Sequence, residues 1–532
     1  MQETCCYISY KDTGYFSKIA IDYIAQSKDL QPFFVHEISA EGIENSIKTR
    51  ADFPQEIRNI LVEELQKQYA GIQTTSAIQE NISSLKNKNT FTVTTAHQPN
   101  IFGGPLYVVY KILHVVKIAQ ELSKKYSDKN FVPVYYMGSE DADLEELNNV
   151  TINEKKYVWR TEQTGAVGRM PVDKKLLDLI AEMQSQLGVE PFGNEWIQIL
   201  QAAYTKGKTI QQATLEFLNT IFGRFGLLII IPDNASLKKL FEPIILKELT
   251  EQFSQKALQQ TVSALTEKNY SVQTEGRALN LFYLLNDKRE RIEIENGNFI
   301  VRNLNLQFSK EEIIREVKNY PDRFSANVVL RGVFQETILP NIIFVGGGGE
   351  LAYWLELKKI FEIANISYPM ILLRNSFLLI NEKQKSVIDK LKISLDVLFK
   401  KEYEILNEIL KNSHQTISLN DELEETKLLY QSLKTKAESV DVTLSQHVES
   451  LCSKAFKKIE QLEKKIASAQ RKKLSVEQTQ IAKLKSILFP KNGLQERTEN
   501  IAGFYAKYGD KIFDAILQNS LSIDEKFGII FI

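Results

Sequence analysis

Five short apolar runs constrain the fold of this chain more than any other feature: residues 91–96, 131–137, 227–231, 342–345 and 370–373. Each is continuous in hydrophobicity rather than alternating, the pattern of a strand buried on both faces. Helix-like segments at 106–122, 210–225 and 352–363 separate several of them. Strands alternating with helices predict an α/β protein with a Rossmann-like, parallel-sheet core. The spacing is uneven. Residues 138–226 and 232–325 exceed what crossover helices need, so both read as inserted connecting regions. The second is expected to hold an antiparallel patch over 279–285, 291–295 and 298–302, turning at Glu295-Asn296-Gly297.

Residues 1–90 read as mostly helical, with Ile57, Ile60, Leu61 and Leu65 at helical spacing in 51–68 and a polar helix over 75–88. After a core spanning 91–380, the character changes to charged, glycine-free helices over 381–487. There Val448, Cys452, Ala455, Ile459, Leu462, Ile466 and Ala469 step by four and three, the seam of a coiled coil. Ile388, Leu391, Leu395 and Leu398 keep the same rhythm and supply a candidate antiparallel partner. Residues 488–532 are expected to return to the core.

A net charge of -1 gives no reason to expect nucleic-acid binding. Three cysteines, two of them adjacent, suit a reducing, cytoplasmic compartment and make no disulfide framework. No basic n-region precedes an apolar stretch at the N-terminus, and no run of about 18 apolar residues predicts a membrane span.

Three turns following predicted strands carry candidate chemistry. In FTVTTAHQPNIFGGPLYVVYK, 91–111, a strand passes through a turn into a helix. Free backbone N–H groups and the helix dipole favour an anion there, so Gly103 and Gly104 are expected to border a phosphate. His97, Gln98 and Asn100 stand where class I aminoacyl-tRNA synthetases and related nucleotidylyltransferases carry a His-x-Gly-His-like motif contacting ATP phosphates. The competing reading is a turn that bonds only its own loop. Glu140 and Asp141, in Ser-Glu-Asp-Ala-Asp after the second strand, are placed to hold Mg²⁺, a substrate ammonium or a sugar hydroxyl; the alternative is helix N-capping by Asp141 or its neighbours. Gly346, Gly347, Gly348 and Gly349 precede Glu350 and admit close approach of a phosphate or carboxylate, with a bland hinge as the alternative. Glu350 is a candidate base, metal ligand or ribose contact. Arg331 and Arg374 are candidate anion partners or structural ion pairs. His114, inside an apolar helix, reads as a satisfied core histidine.

Taken together, TTAHQPNIFGGPLYVVYKI (94–112), VPVYYMGSEDADLEELN (132–148), GAVGRMP (165–171), SANVVLRGVFQETILPNIIFVGGGGELAYWLELK (325–358) and LFPKNGLQER (488–497) resemble the bacillithiol-biosynthesis cysteine-adding enzymes, BshC. The resemblance implies a Rossmann-like core with two connecting insertions, homodimerisation through the coiled coil and a cytoplasmic location. It also implies joining cysteine to glucosaminyl-malate, with ATP as the suspected nucleotide and Mg²⁺ possible. His97, Asn100, Gly103 and Gly104 would then contact phosphates, Glu140 and Asp141 would orient the ammonium or sugar, and Glu350 would be a base for the attacking amine. The chain departs from the family pattern at Ala96 (usually Gly), Ala142 (usually His), Gly348 (usually Pro) and Thr164 (usually Lys). Ala142 supports an alternative, a non-catalytic nucleotide- or thiol-binding coiled-coil scaffold. An RNA-handling enzyme is a third reading, which the near-zero charge disfavours.

Overall fold

The apolar runs become one five-stranded sheet in the computed structural model, which describes residues 5–274, 276–412 and 418–532. In chain order its strands are β1 (Thr90–His97), β2 (Asn130–Met137), β3 (Leu228–Ile230), β4 (Asn341–Gly346) and β5 (Met370–Leu373). They lie side by side as β5-β4-β1-β2-β3, every neighbouring pair parallel. All their residues are buried except Asn130, which accounts for continuous rather than alternating hydrophobicity.

Helix α1 (Leu106–Lys125) packs on β1 and β2. Helix α2 (Ala235–Glu251) follows β3, and α3 (Gly348–Ala364) rises directly from β4. In α1, Val108, Val109, Ile112, Leu113, Val115 and Val116 are buried, at roughly 1.5–3 kcal/mol for each large aliphatic side chain. The open edge at β3 is plugged by two side chains, Gln68 and Tyr69, whose Oη accepts the Ile229 N–H at 2.8 Å. Gln68 donates to the Ile229 carbonyl at 2.7 Å and accepts from the Ile231 N–H at 2.9 Å, imitating a further strand.

The expected antiparallel patch is two sheets, not one. Leu281–Leu285 pairs with Lys288–Arg291 and Phe324–Ala326, while Glu293–Glu295, Asn298–Val301 and Leu306–Phe308 form the other. Its Asn296-Gly297 turn takes positive φ at both residues, as a tight hairpin requires. The earlier reading missed Lys288–Arg291, whose charged sequence lacks a strand's apolar face.

Two compact units emerge: Met1–Leu379 with Gly493–Ile530, and Ile380–Asn492. In the first, Phe527–Phe531 lies antiparallel to Cys5–Ile8 within a three-stranded sheet. The second unit contains the coiled coil, α4 (Asn420–Glu438) against α5 (Leu444–Lys473). They run antiparallel: Leu419 N–H reaches Glu463 at 3.1 Å near one end, and Lys434 pairs with Glu449 near the other. The partner predicted at 388–398 is therefore corrected. That segment's helix, Glu382–Leu391, stops at Lys392, which adopts left-handed φ of 52° and cannot carry the rhythm onward. Among the described residues no helix is long and apolar enough to cross a membrane.

Candidate active-site cleft

Strand register assembles the site. His97 at the end of β1 sits opposite Met137 at the end of β2, so the turns after both strands emerge together. Gly138 N–H donates to the His97 carbonyl at 2.7 Å, and the Gln98 amide donates to Asp141 at 3.1 Å. Across β1, Val345 pairs with Thr95, and Gly346 pairs with Leu373 at the end of β5. The glycine turn and Arg374 thus leave the sheet at the same level. All these turns border one cleft of about 1140 Å³ at the carboxyl ends of the strands, where open α/β sheets bind ligands.

His97, Gln98, Glu140, Asp141, Arg331, Gly347, Gly348, Gly349, Glu350 and Arg374 all line this cleft. Gly346 ends β4, and its carbonyl accepts the Arg374 N–H at 2.8 Å. Asn100, Gly103 and Gly104 are not on the cleft wall, which corrects the expected phosphate turn. Gly103 and Gly104 have φ of 83° and 66°, so glycine serves the backbone there. Asn100 packs beneath Gly104. The α1 terminus is also occupied: Leu106 N–H donates to the Glu499 carbonyl at 2.8 Å. The Asn500 amide covers the Phe102 and Gly104 carbonyls.

Lys111, within the apolar helix, reaches the cleft floor. Only 1% exposed, it donates to the Ala96 carbonyl at 2.8 Å and pairs with Glu350. Burial lowers its pKa, against the pull of Glu350. Glu350 also accepts the Gly347 N–H at 2.8 Å, satisfying the N-cap backbone donor at the start of α3. Burial raises its carboxyl, but Lys111 and the Gly347 N–H together hold it below the ordinary range. A carboxylate so held makes a poor proton acceptor, so the geometry does not support the role of base. His97 is buried, with Nε2 3.0 Å from Tyr107 Oη, and burial, with Lys111 nearby, depresses its pKa to about 3. It is a neutral hydrogen-bonding group.

Glu140 pairs with Lys238 of α2, itself 2% exposed. Lys238 also meets Asp233 at 3.2 Å, and Arg169 grips Asp233 through two hydrogen bonds of 2.6 Å. Asp141, with no ion-pair partner among the described residues, is held by Gln98 and the Asp143 N–H. The alternative of helix capping by Asp141 or a neighbour is met by Asp143, whose side chain accepts the Glu146 N–H. Arg331 donates to Tyr353 Oη at 2.6 Å. Arg289 stacks 3.9 Å over Phe282, binds Ser325 and Ala326, and faces Glu140 and Asp141. Among the described residues no three His, Cys, Asp or Glu side chains converge as a ready-made metal site. His114 lies elsewhere and is satisfied, its ring bonded to the Ser522 carbonyl and the Asn375 N–H.

The sequence reading missed Lys111, Tyr107, Lys238, Asp233, Arg169 and Arg289. Lys111 alone left a local signal, a lysine inside a run of buried helix positions; the others converge only through the fold.

A Rossmann-like sheet with a charged cleft at its switch region defines a broad ligand-binding class. Family comparison narrows it. Residues 1–375 match the family described as Bacillithiol biosynthesis BshC, N-terminal Rossmann-like domain, and 377–532 match the BshC C-terminal coiled-coil domain. The chain belongs to the BshC family. Relatives bearing the name "Putative cysteine ligase BshC" include one from Flavobacterium johnsoniae, 40% identical over 98% of this chain and 99% of its own length. Another, from Christiangramia forsetii, is 37% identical over 98% of both chains. One from Bacillus cytotoxicus is 26% identical over 94% of this chain and 95% of its own.

Proposed function

We propose that this protein is a carbon–nitrogen ligase that joins the carboxyl group of cysteine to the amino group of glucosaminyl-malate. One observation carries the reading: a single cleft sets the carboxylates Glu140 and Asp141 beside Lys111, Arg289, Arg331 and Arg374. Such a site suits an amino acid carrying both charges and a polyanionic co-substrate. The relatives' name supplies the cysteine.

ATP is the proposed nucleotide. It would activate the cysteine carboxylate as an acyl-adenylate with release of pyrophosphate, or as an acyl-phosphate with release of ADP. The sugar amine then attacks the acyl carbon, and the amide forms as a proton and AMP or phosphate leave. The cationic lining, and a buried Arg374 N–H that has no partner among the described residues, fit its phosphates. Mg²⁺ would arrive with the nucleotide, since it takes one or two protein carboxylates beside phosphate oxygens; Asp141 is placed to supply one. Asp141 and Glu140 would orient the ammonium and sugar hydroxyls, and neutral His97 with Tyr107 would hold the nucleotide as hydrogen-bond partners.

The test is direct. Purified protein incubated with cysteine, glucosaminyl-malate and ATP should yield bacillithiol by mass spectrometry with stoichiometric nucleotide consumption; absence of both sinks the mechanism. Cells lacking the protein should lose bacillithiol and accumulate glucosaminyl-malate. The scaffold alternative leans on Ala142, which is exposed and off the cleft wall. Ala142→His should therefore change ligation by no more than a few-fold. Homodimerisation through the coiled coil is part of the same proposal, supported by the apolar side chains that α4 and α5 leave uncovered.

A further inference from the structure

The motif LFPKNGLQER has no role in the chemistry above, yet its last residues form a clamp. Gln495 donates to and accepts from the Leu379 backbone, at 3.2 and 3.1 Å. Glu496, fully buried, takes Arg374 Nη2 at 2.6 Å and the Phe377 N–H at 3.4 Å. Glu499 and Asn500 fasten the 102–106 turn. Between these anchors stands Arg497. It is exposed, lines the cleft, acts electrostatically on Tyr107, and has no hydrogen-bond or ion-pair partner among the described residues.

Arg374 approaches the same Tyr107 ring, 5.2 Å from its centre. It is 3% exposed, and Nη1 and Nη2 are bound by Asn375, Ser376 and Glu496. Its Nε–H is buried without a hydrogen-bond partner among the described residues. That group faces the glycine turn: a Cβ built on Gly347 would lie 3.7 Å from it. A buried guanidinium N–H left unpaired is costly, so its retention points to a ligand.

The turn shows the same thing from the other side. A Cβ at Gly349 would meet nothing within 4 Å, and one at Gly348 only the Ala20 methyl at 3.9 Å. Neither residue has positive φ. Packing and backbone therefore demand no glycine at either position. Its absence of side chain leaves open the first-turn N–H groups of a 17-residue helix, which have no intrahelical acceptors.

We propose that Arg374 Nε, Arg497 and the Gly348 and Gly349 N–H groups form an oxyanion subsite for a phosphate or carboxylate group of the ligand. The subsite depends on the ligase reading only for which ligand carries that group. Isothermal titration of the full chain with ATP, and separately with malate, tests it. Arg497→Gln removes an exposed charge, and Gly349→Ala adds a methyl group to open space, so both should keep the wild-type melting temperature. Each should weaken the same probe by roughly tenfold or more, the size of one charge-assisted hydrogen bond. Loss confined to ATP assigns the group as phosphate, and loss confined to malate assigns it as carboxylate; loss of both assigns a subsite that accepts either. No wild-type binding of either probe, or a failure of both variants to weaken the same one, overturns the proposal. Failure to form product while binding behaves as stated would instead refute the ligase reading alone.

Discussion

Lys111 decides much of the cleft's behaviour from inside an apolar helix. Removing its charge strands Glu350 beside the buried helix start. Lys111→Met should cost roughly 2–4 kcal/mol, below the 3–5 of a fully buried pair because Glu350 is one-fifth exposed; urea unfolding measures it. His97 gives a pH signature. Its folded pKa near 3 lies below the ordinary 6.5, so the unfolded chain binds the extra proton between those values. Stability should therefore fall as pH drops from about 6.5 toward 3, and His97→Gln should remove that part of the acid sensitivity. NMR titration should show the imidazole neutral across pH 4–8. The residues that could be picked from sequence were those in the turns after strands, because strand ends are local. Glycine alone was ambiguous: Gly103 and Gly104 serve positive φ, whereas Gly348 and Gly349 serve no backbone need.

At the level of elements, the five strands were legible because burial on both faces writes an unbroken apolar run. The antiparallel strands near 281–285, 293–295 and 298–301 were legible too, with their Asn296-Gly297 turn; their division between two sheets was not, since pairing partners leave no mark in a single strand. The edge device at β3 was equally hidden, at the polar end of the amphipathic helix Gln55–Gln68. Gln68→Ala should expose or orphan two backbone groups, at about 1–3 kcal/mol each, visible as a lower midpoint in thermal unfolding. The coiled-coil period was readable, while its partner was not: a helix stop at Lys392 depends on a conformation the heptad rhythm does not encode. Within α4 and α5, Leu428, Leu429, Leu433 and Leu462 remain 42–64% exposed, more apolar surface than a finished hairpin needs to show. The proposed homodimer should be broken by Leu433→Lys with Leu462→Lys, read as a shift to monomer in analytical ultracentrifugation without loss of the circular-dichroism signal; an unchanged sedimentation profile would remove the coiled coil as its interface.

Across the whole molecule, the C-terminal return is the feature hardest to foresee in detail. Gln495, Glu496, Glu499 and Asn500 act on backbone and side chains from residues 102–106 and 374–379, and no local pattern names such partners. A chain ending at Asn492 should leave Arg374 buried without its carboxylate and the 102–106 turn without its cover. We expect it to lose fixed near-ultraviolet circular dichroism and to bind the dye ANS, the marks of a loosened core.

That return also sets a schedule for synthesis. The ribosome finishes most of the first unit, then makes about 110 residues of the second before Glu496 and Asn500 exist, a delay of roughly 6–23 s at 5–20 residues per second. Through that interval the nascent chain carries an unclosed core, open to chaperones and proteases. Only a ribosome that has passed Asn500 has made the residues that complete the cleft.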